Sequence, residues 1–227
     1  MCVAPVRITI LRGGMYKKSL PFLLLVLEVY MQKYKIALTG AGGVGKGTLV
    51  EAFRKLHPEF VSISSPMHPI ASIISPQAKN YEDYDIDAKN ILQYSCLCAE
   101  MNAERVALEN GFSFIAERSV IDFLAYYRQI FRKKRVKEYR ANIYRFLESS
   151  PYNLLAYVPI TFSPTSEDLK ENAWKERDAD SRLKTDACIR EELLSMQSRF
   201  PSVRVVTVIG GTPEARAANL ADMLGRF

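Results

Sequence analysis

Short runs of apolar, β-prone residues alternate along the chain with longer stretches that carry apolar residues at helical spacing. The runs predicted to be strands cover residues 34–39, 60–64, 112–116, 154–160 and 203–208. The stretches predicted to be helices cover residues 46–57, 86–110, 119–133, 136–149, 183–199 and 213–224. This alternation predicts an α/β fold, in which a mostly parallel five-stranded sheet carries helices on both faces.

Composition is that of an ordinary globular chain. Its 227 residues are 48% hydrophobic, and we predict one domain over residues 31–227. The four cysteines show no C-x-x-C spacing and there are two histidines, which argues against a disulfide framework or a structural zinc site. The pattern is typical of a reducing cytoplasm.

The first 30 residues differ from the rest. Lys17 and Lys18 precede an apolar run that resembles the start of a signal peptide, but the run is too short to span a bilayer and no small-residue cleavage site follows. The residues Leu27 to Met31 can be encoded by CTG-GAG-GTA-TAT-ATG, which contains a ribosome-binding GGAGG before an ATG. We therefore expect translation to begin at Met31 and residues 1–30 to be a mis-assigned extension. An accessory segment and a membrane-targeting segment are the alternatives.

A glycine-rich loop joins the first predicted strand to the first predicted helix. It fits the spacing G-x-x-x-x-G-K in the strand-to-helix context that a phosphate-binding loop requires. Glycines let the backbone turn its N–H groups toward a phosphate chain, and the helix N-terminus adds partial positive charge. A lysine at this position is expected to reach the β- and γ-phosphates of ATP. The residues predicted to bind the nucleotide here are Gly40, Ala41, Gly42, Gly43, Val44, Gly45, Lys46, Gly47 and Thr48.

One position of this loop departs from the usual pattern. Gly47 stands where a Ser or Thr hydroxyl usually binds Mg²⁺, and Thr48 follows one place later. The resulting G-K-G-T ending resembles the nucleoside monophosphate kinases of the adenylate kinase type. That resemblance implies a magnesium ion held largely through water, with Thr48 at the α-phosphate. It favours a small phosphotransferase over a GTPase switch or a mechanical ATPase.

A second motif follows the third predicted strand. Glu117, Arg118 and Ser119 stand at its carboxyl end, where ligands bind in open α/β sheets. We expect Glu117 to hold a magnesium-bound water and Arg118 to neutralise a phosphate or fix the acceptor. Asp122 is placed to orient or deprotonate an acceptor hydroxyl. The structural alternative is a capping box made by Ser119 and Asp122, and both interpretations can hold together.

This motif resembles the (D/E)-R-S motif of deoxynucleoside kinases and the D-R motif of thymidylate kinases. It also resembles the D-R-S-x-x-D run of phage ATPases similar to nicotinamide riboside kinases. Over residues 34–225 the chain thus resembles a P-loop kinase of the thymidylate and deoxynucleoside kinase group. The resemblance implies a three-layer fold with a lid, for which the polar segment 161–182 is the candidate.

Acceptor and lid residues are implied by the same resemblance. Gln93 lies on the helix where deoxynucleoside kinases carry a base-reading glutamine, although a polar residue on a half-exposed helix is the plainer interpretation. Deoxynucleoside kinases also carry a catalytic Glu after the second strand, and this chain has no acid between Val61 and Tyr81. In the lid, Arg177 and Arg182 can close over ATP and stabilise the transferring phosphoryl group, or form a solvated charged loop.

Positive charge is concentrated in residues 128–145, which carry eight basic residues and one acid in a chain of net charge +6. Such a patch favours a polyanion such as duplex DNA, whereas the alternatives are a solubilising helical face and a phosphorylated small molecule or partner. The aromatic residues between the charges are either base-stacking or core residues. The basic residues are Arg128, Arg132, Lys133, Lys134, Arg135, Lys137, Arg140 and Arg145.

These features predict an ATP- and Mg²⁺-dependent kinase of a nucleoside-containing acceptor, without a membrane association. We favour 5-hydroxymethyluracil within phage DNA as the acceptor, since phage kinases that act on this base belong to the group that the chain resembles. A base flipped from a duplex need not enter the site as a free nucleoside does. A free nucleotide or nucleoside is the alternative acceptor, and a regulatory ATPase without an acceptor is the third hypothesis.

Overall fold

The computed structural model describes residues 33–78, 81–161 and 179–224. The proposed extension 1–30 and most of the proposed lid, including Arg177, therefore lie outside the described residues. The strands are β1 Lys35–Thr39, β2 Val61–Ile63, β3 Phe114–Ala116, β4 Leu154–Tyr157 and β5 Arg204–Thr207. The helices are α1 Lys46–Leu56, α2 Met67–Ile74, α3 Ile86–Glu109, α4 Val120–Ile130, α5 Lys133–Ser149, α6 Ala179–Arg199 and α7 Pro213–Leu224, with a short 3-10 helix at Tyr81–Asp83.

All five strands form one parallel sheet in the order β2-β3-β1-β4-β5. The central strand β1 pairs with β3 on one side and β4 on the other, with Ala37 opposite Ala116 of β3 and Leu155 of β4. Because parallel strands share one direction, the loops after β1, β2, β3 and β4 leave the sheet at the same edge. The predicted α/β fold with a five-stranded parallel sheet is confirmed.

Helices cover both faces of the sheet and form two cores. On one face, α1 and α7 pack on Ile36 and Leu38 of β1. On the other face, α3, α4, α5 and α6 pack on Ala37 and on neighbouring strands. Alternate residues of β1 thus enter different cores, which explains why its sequence is apolar without a polar alternation. Within the part of the chain that the structure describes, no helix is long and apolar enough to cross a bilayer.

The predicted elements all exist, although several ends differ. The second strand is shorter than predicted, and the loop expected after it contains α2. Pro69 lies inside α2, near its start, where a helix tolerates proline better than in its interior. The helix predicted over 119–133 ends at Ile130, because the backbone of Phe131 is extended. Helix α6 begins at Ala179, so the last residues of the segment 161–182 are helical.

Candidate active site

The glycine-rich loop lies between β1 and α1 at the carboxyl edge of the sheet. Its backbone takes left-handed conformations at Gly43 and Gly45, with φ of 70° and 83°. At Gly40 a Cβ atom would stand 2.5 Å from the carbonyl oxygen of Val158, so a side chain does not fit there. The glycines therefore satisfy both a backbone requirement and a close approach between the loop and the segment after β4.

Lys46 is the first residue of α1 and its side chain turns back into the loop. It is 5% exposed, and its Nζ donates to the carbonyl oxygens of Gly40 at 2.6 Å and Ala41 at 2.8 Å. The ammonium group is thus held within the loop, next to the backbone that was predicted to cradle phosphates. Thr48, two residues after Lys46 in the same helix, is exposed.

Glu117 lies directly across from Gly47. A Cβ atom on Gly47 would be 3.5 Å from Glu117 Oε1, and the other carboxylate oxygen accepts a hydrogen bond from Ser65 N–H at 3.2 Å. The carboxylate therefore occupies the side of the loop on which the hydroxyl-bearing residue of the usual motif would project. A cavity of about 560 Å³ opens beside this pair and is lined by residues of α1 and of the end of β2, among them Arg54 and Ser64.

Arg118 is fixed by its neighbours on two sides. Its Nε donates to Ser65 Oγ at 3.2 Å, and its guanidinium lies 5.2 Å from the centre of the Tyr126 ring. Ser65 therefore contacts both charged residues of the motif, through its backbone N–H and its hydroxyl. Sequence reasoning missed this serine, although its position just after β2 at the carboxyl edge of the sheet was a signal for it.

Asp122 is completely buried and both of its oxygens are engaged. Oδ1 accepts from Gly40 N–H at 3.0 Å, and Oδ2 accepts from Ser119 N–H at 2.9 Å and Ser119 Oγ at 2.8 Å. The capping box predicted as the structural alternative is confirmed. Burial and these three bonds favour the structural role of Asp122, while its predicted role of orienting or deprotonating an acceptor hydroxyl stays a prediction. Its visible role is to join α4 to the phosphate loop.

Arg182 also contacts the phosphate loop. It lies in α6, is 4% exposed, and its Nε donates to the carbonyl oxygen of Gly42 at 3.1 Å. A second arginine, Arg216 of α7, donates from Nη1 to the carbonyl oxygen of Val44 at 3.2 Å. Sequence reasoning missed Arg216, because an arginine in the last helix carries no local signal of a contact with the first loop.

Helix α3 carries three buried polar side chains on the face toward the core: Gln93, Glu100 and Glu104. Gln93 is 1% exposed, so the half-exposed position expected from the sequence is wrong. Its Nε2 donates to Tyr81 Oη at 3.2 Å, whereas its Oε1 has no hydrogen-bond partner among the described residues.

The two carboxyl groups of α3 are perturbed by burial. Burial raises the pKa of Glu100 well above its usual value, and the nearby charge of Glu104 raises it further. Burial likewise raises the pKa of Glu104 to about 7, although Lys35 and the hydroxyl of Tyr152 act in the opposite direction. Tyr152 Oη donates to Glu104 Oε1 at 2.6 Å and accepts from Val120 N–H at 3.1 Å. This network thus reaches the first turn of α4, next to the Glu-Arg-Ser motif.

The basic stretch divides into two groups. Arg128 and Arg140 form ion pairs with Glu192 of α6, whose side chain is 2% exposed, and thus join three helices. Arg145 is exposed and donates to Asn142 at 3.5 Å. The exposed residues at the start of α5 are Arg132, Lys133, Lys134, Arg135 and Lys137.

Aromatic residues within the stretch serve the protein interior. The Tyr139 ring is buried and stacks on Tyr127 with centroids 3.9 Å apart, and Phe131 also stacks on Tyr127, with centroids 4.3 Å apart. Tyr144 is half-buried and meets Phe200 edge-on. The core interpretation of these aromatics is therefore the correct one for Phe131 and Tyr139, and neither is available to stack on a base.

Comparison with known proteins gives the family and the fold. A family model described as an AAA domain matches residues 35–212, and the chain therefore belongs to this family. Among solved structures, thymidylate kinase from Candida albicans is similar over 86% of this chain and 92% of that chain, with a TM-score of 0.54 and 16% sequence identity. At this identity the similarity shows the P-loop kinase fold. No curated protein sequence matches the chain.

Proposed function

We propose that this member of the AAA domain family is an ATP-dependent kinase that transfers the γ-phosphoryl group to a hydroxyl of a nucleoside moiety. The observation that carries the proposal is the position of the Glu117 carboxylate against Gly47, within a phosphate loop on a kinase-type sheet. In a switch or motor ATPase the residue after the loop lysine supplies a hydroxyl to magnesium. Here an acidic side chain from a neighbouring strand stands at that side of the loop.

The donor side of the site has the chemistry that MgATP requires. The loop presents backbone N–H groups at the start of α1, and Lys46 supplies a positive charge beside them. Glu117, acting through water, and Thr48 are the residues that would hold magnesium, since both oxygen types suit this ion. Magnesium, when bound with ATP, neutralises charge on the β- and γ-phosphates.

Transfer itself needs little covalent chemistry from the protein. The acceptor hydroxyl oxygen forms a bond to the γ-phosphorus, the bond from that phosphorus to the β–γ bridging oxygen breaks, and ADP leaves. The hydroxyl proton is released to solvent. Arg118, held by Ser65 and Tyr126 at the edge of the site, is proposed to stabilise the charge on the transferring group.

For the acceptor we favour 5-hydroxymethyluracil in duplex DNA. The support comes from the five exposed basic residues at the start of α5. Helix α5 leads into β4, so its first turn points toward the carboxyl edge of the sheet, where Glu117 and Gly47 lie. A row of exposed lysine and arginine side chains on this side of the molecule suits a phosphate backbone. The ion-paired Arg128 takes no part in this surface.

A free deoxynucleotide or nucleoside is the alternative acceptor, and two observations favour it. Gln93 is buried with one unused amide oxygen, as a residue that reads a base edge would be. The fold also matches that of a thymidylate kinase over most of both chains. A regulatory ATPase that uses water as the acceptor is the third candidate.

One labelling experiment separates the candidates. The protein is incubated with γ-labelled ATP and Mg²⁺ in the presence of thymidine, dTMP, plain duplex DNA or duplex DNA that contains 5-hydroxymethyluracil. We expect label in the modified duplex, and a loss of about 100-fold or more in Glu117→Gln, because the acidic group at the loop is removed. The exposed Glu59, changed to Gln, is the matched control.

Each outcome of this experiment decides between the candidates. Label in dTMP or thymidine alone would overturn the DNA acceptor and retain the kinase. Release of labelled phosphate with every acceptor would overturn the kinase.

A chain that begins at Met31 should give the same result as the full chain if residues 1–30 are an extension, as we propose.

A further inference from the structure

Arg216 lies in the first turn of α7 and is buried, with 6% of its surface exposed. Its guanidinium donates three hydrogen bonds to three separate segments of the chain. Nε donates to the carbonyl oxygen of Gly210 at 2.9 Å, Nη1 to that of Val44 at 3.2 Å, and Nη2 to Thr161 Oγ1 at 2.6 Å. The loops after β1, β4 and β5 therefore meet at one side chain.

The electrostatic setting of this guanidinium is unusual. Within residues 33–78, 81–161 and 179–224, no carboxylate lies within ion-pair distance of it. Burying a cation without an acidic partner is costly unless its donors are all used or another anion lies near. Each of the three guanidinium nitrogens of Arg216 donates to a neutral oxygen, which uses three of its five N–H groups, and its positive charge lies beside the phosphate loop.

The bond to Val44 has a consequence for the loop. In a trans peptide the C=O and the N–H point in opposite directions. The carbonyl of Val44 points to Arg216, so the N–H of Gly45 in the same peptide points away from it. Arg182 acts on Gly42 in the same manner, and the N–H of Gly43 points away from that arginine. The two arginines thus fix two peptide groups of the loop, and in each the N–H points away from the arginine that is bonded to the carbonyl.

The backbone of Gly210 lies close to Arg216. Its φ is 131°, and a Cβ atom on it would lie 3.1 Å from the backbone nitrogen of Arg216 and 3.2 Å from its Cγ. A larger residue would therefore push α7 away from the loop after β5. The backbone at this position is shaped to let Arg216 reach the Gly210 carbonyl and Val44 at once.

We infer that Arg216 is a positioning residue for the phosphate loop: by holding the Val44 carbonyl outward, it directs the Gly45 N–H toward a bound polyphosphate. This inference rests on the proposed function only as far as nucleotide binding, and it requires no particular acceptor. Arg216 touches no reacting atom and acts through the peptide of the loop. It also ties that loop to the segment after β5, so that the two move together.

The Arg216→Lys variant tests the inference, because lysine keeps the positive charge and supplies a single ammonium group in place of the planar guanidinium. We expect Arg216→Lys to weaken ATP binding by about tenfold or more, as a charged hydrogen bond is lost, with the fold retained by circular dichroism. ATP affinity is measured by calorimetry with Mg²⁺ and without any acceptor. Thr161→Val, which removes one acceptor of the guanidinium, should give a smaller loss.

Arg204→Lys is the matched control. This arginine begins β5, at the edge of the sheet opposite to the phosphate loop, and donates from Nη1 to the carbonyl oxygen of Met223 in α7 at 3.1 Å. It should lower thermal stability and leave ATP affinity within twofold of the original value. Equal losses of affinity in Arg204→Lys and Arg216→Lys would overturn the inference, since the effect would then come from the general docking of α7.

A rescue experiment separates positioning from folding. In Arg216→Ala, millimolar methylguanidinium should recover part of the lost ATP affinity, because it can refill the site with a planar donor, whereas methylammonium should not. Unchanged ATP affinity in Arg216→Lys would also contradict the inference. A protein that binds ATP with these dependences but labels no acceptor would refute the proposed kinase and leave the role of Arg216 intact.

Discussion

The carboxylate of Glu117 faces Gly47 so closely that a Cβ atom on this glycine would lie 3.5 Å from Glu117 Oε1. A methyl group at position 47 would therefore be in ordinary van der Waals contact with the carboxylate, and no water molecule would fit between them. Glycine at position 47 thus keeps a space open beside the carboxylate. We interpret this space as the place of water that joins Glu117 to magnesium.

Gly47→Ala should therefore separate stability from activity. Position 47 lies in the first turn of α1 and its φ is not left-handed, so alanine should stabilise the helix by about 0.5–1 kcal/mol in urea unfolding. The added methyl group should lower kcat by about tenfold, because it removes the space for water at Glu117. Gly211→Ala is the control, since a Cβ there meets no atom within 4 Å. A Gly47→Ala variant with full activity would contradict this interpretation.

Asp122→Asn should act mainly on stability. The new NH₂ group must face either Gly40 N–H or the donors of Ser119, so one buried hydrogen bond is replaced by two opposed donors. We expect a loss of about 1–3 kcal/mol in the free energy of unfolding, measured in urea. Asp85→Asn, at the exposed N-cap of α3, is the control, because asparagine caps a helix as well as aspartate. An Asp122→Asn protein of unchanged stability that has lost transfer activity would instead support an acceptor-activating role.

Stability should fall as the pH rises from about 4.5 to about 7, in part because of Glu104. Its pKa is raised from 4.5 to about 7 by burial, so the folded state keeps a proton that the unfolded chain releases. The stabilisation is complete below the unfolded pKa and is lost as the pH rises through the folded pKa. Glu104→Gln should flatten this slope in urea unfolding between pH 5 and 7. Glu109→Gln, an exposed residue paired with Arg105, should leave the slope unchanged, and an equal slope in both variants would refute the assignment.

Charge reversal at the start of α5 tests the DNA acceptor. Lys133→Glu, Lys134→Glu and Lys137→Glu together should lower labelling of modified duplex DNA by at least about tenfold and reduce its salt dependence, while ATP affinity stays the same. These side chains are exposed and make no contact with the phosphate loop. Lys33→Glu, before β1 at the other edge of the sheet, is the control for a lost positive charge. Unchanged labelling of DNA after the triple reversal would exclude this surface as the DNA-binding face.

The features that sequence could predict are those whose signal is local. The phosphate loop and the Glu-Arg-Ser motif are continuous in sequence, and the strand-to-helix alternation gave their place at the edge of the sheet. The role of Asp122 was harder to predict from the sequence, because its bond to Gly40 spans 82 positions. Only its capping role within its own helix has a local sequence signal. The bond from Arg216 to Val44 spans 172 positions and leaves no local pattern.

Burial was the other property that the sequence did not predict. Gln93 lies in a helix with many polar residues, and nothing in its spacing distinguishes a buried amide from an exposed one. The aromatics of the basic stretch show the same limit, because charge and core positions alternate along α5 at helical spacing. Only the packing of α4 and α6 against α5 reveals that Arg128 and Arg140 are held by Glu192 while their neighbours are exposed.

The fate of the γ-phosphate tests the central claim most directly. Phosphorus-31 NMR of the protein with MgATP and duplex DNA that contains 5-hydroxymethyluracil, and in parallel with dTMP, follows ATP, ADP, inorganic phosphate and any new phosphate ester in one sample. A kinase of a nucleoside hydroxyl should produce one equivalent of a new ester signal for each ADP formed, and this signal should be absent with Glu117→Gln. Equimolar ADP and inorganic phosphate with no new ester would contradict the account.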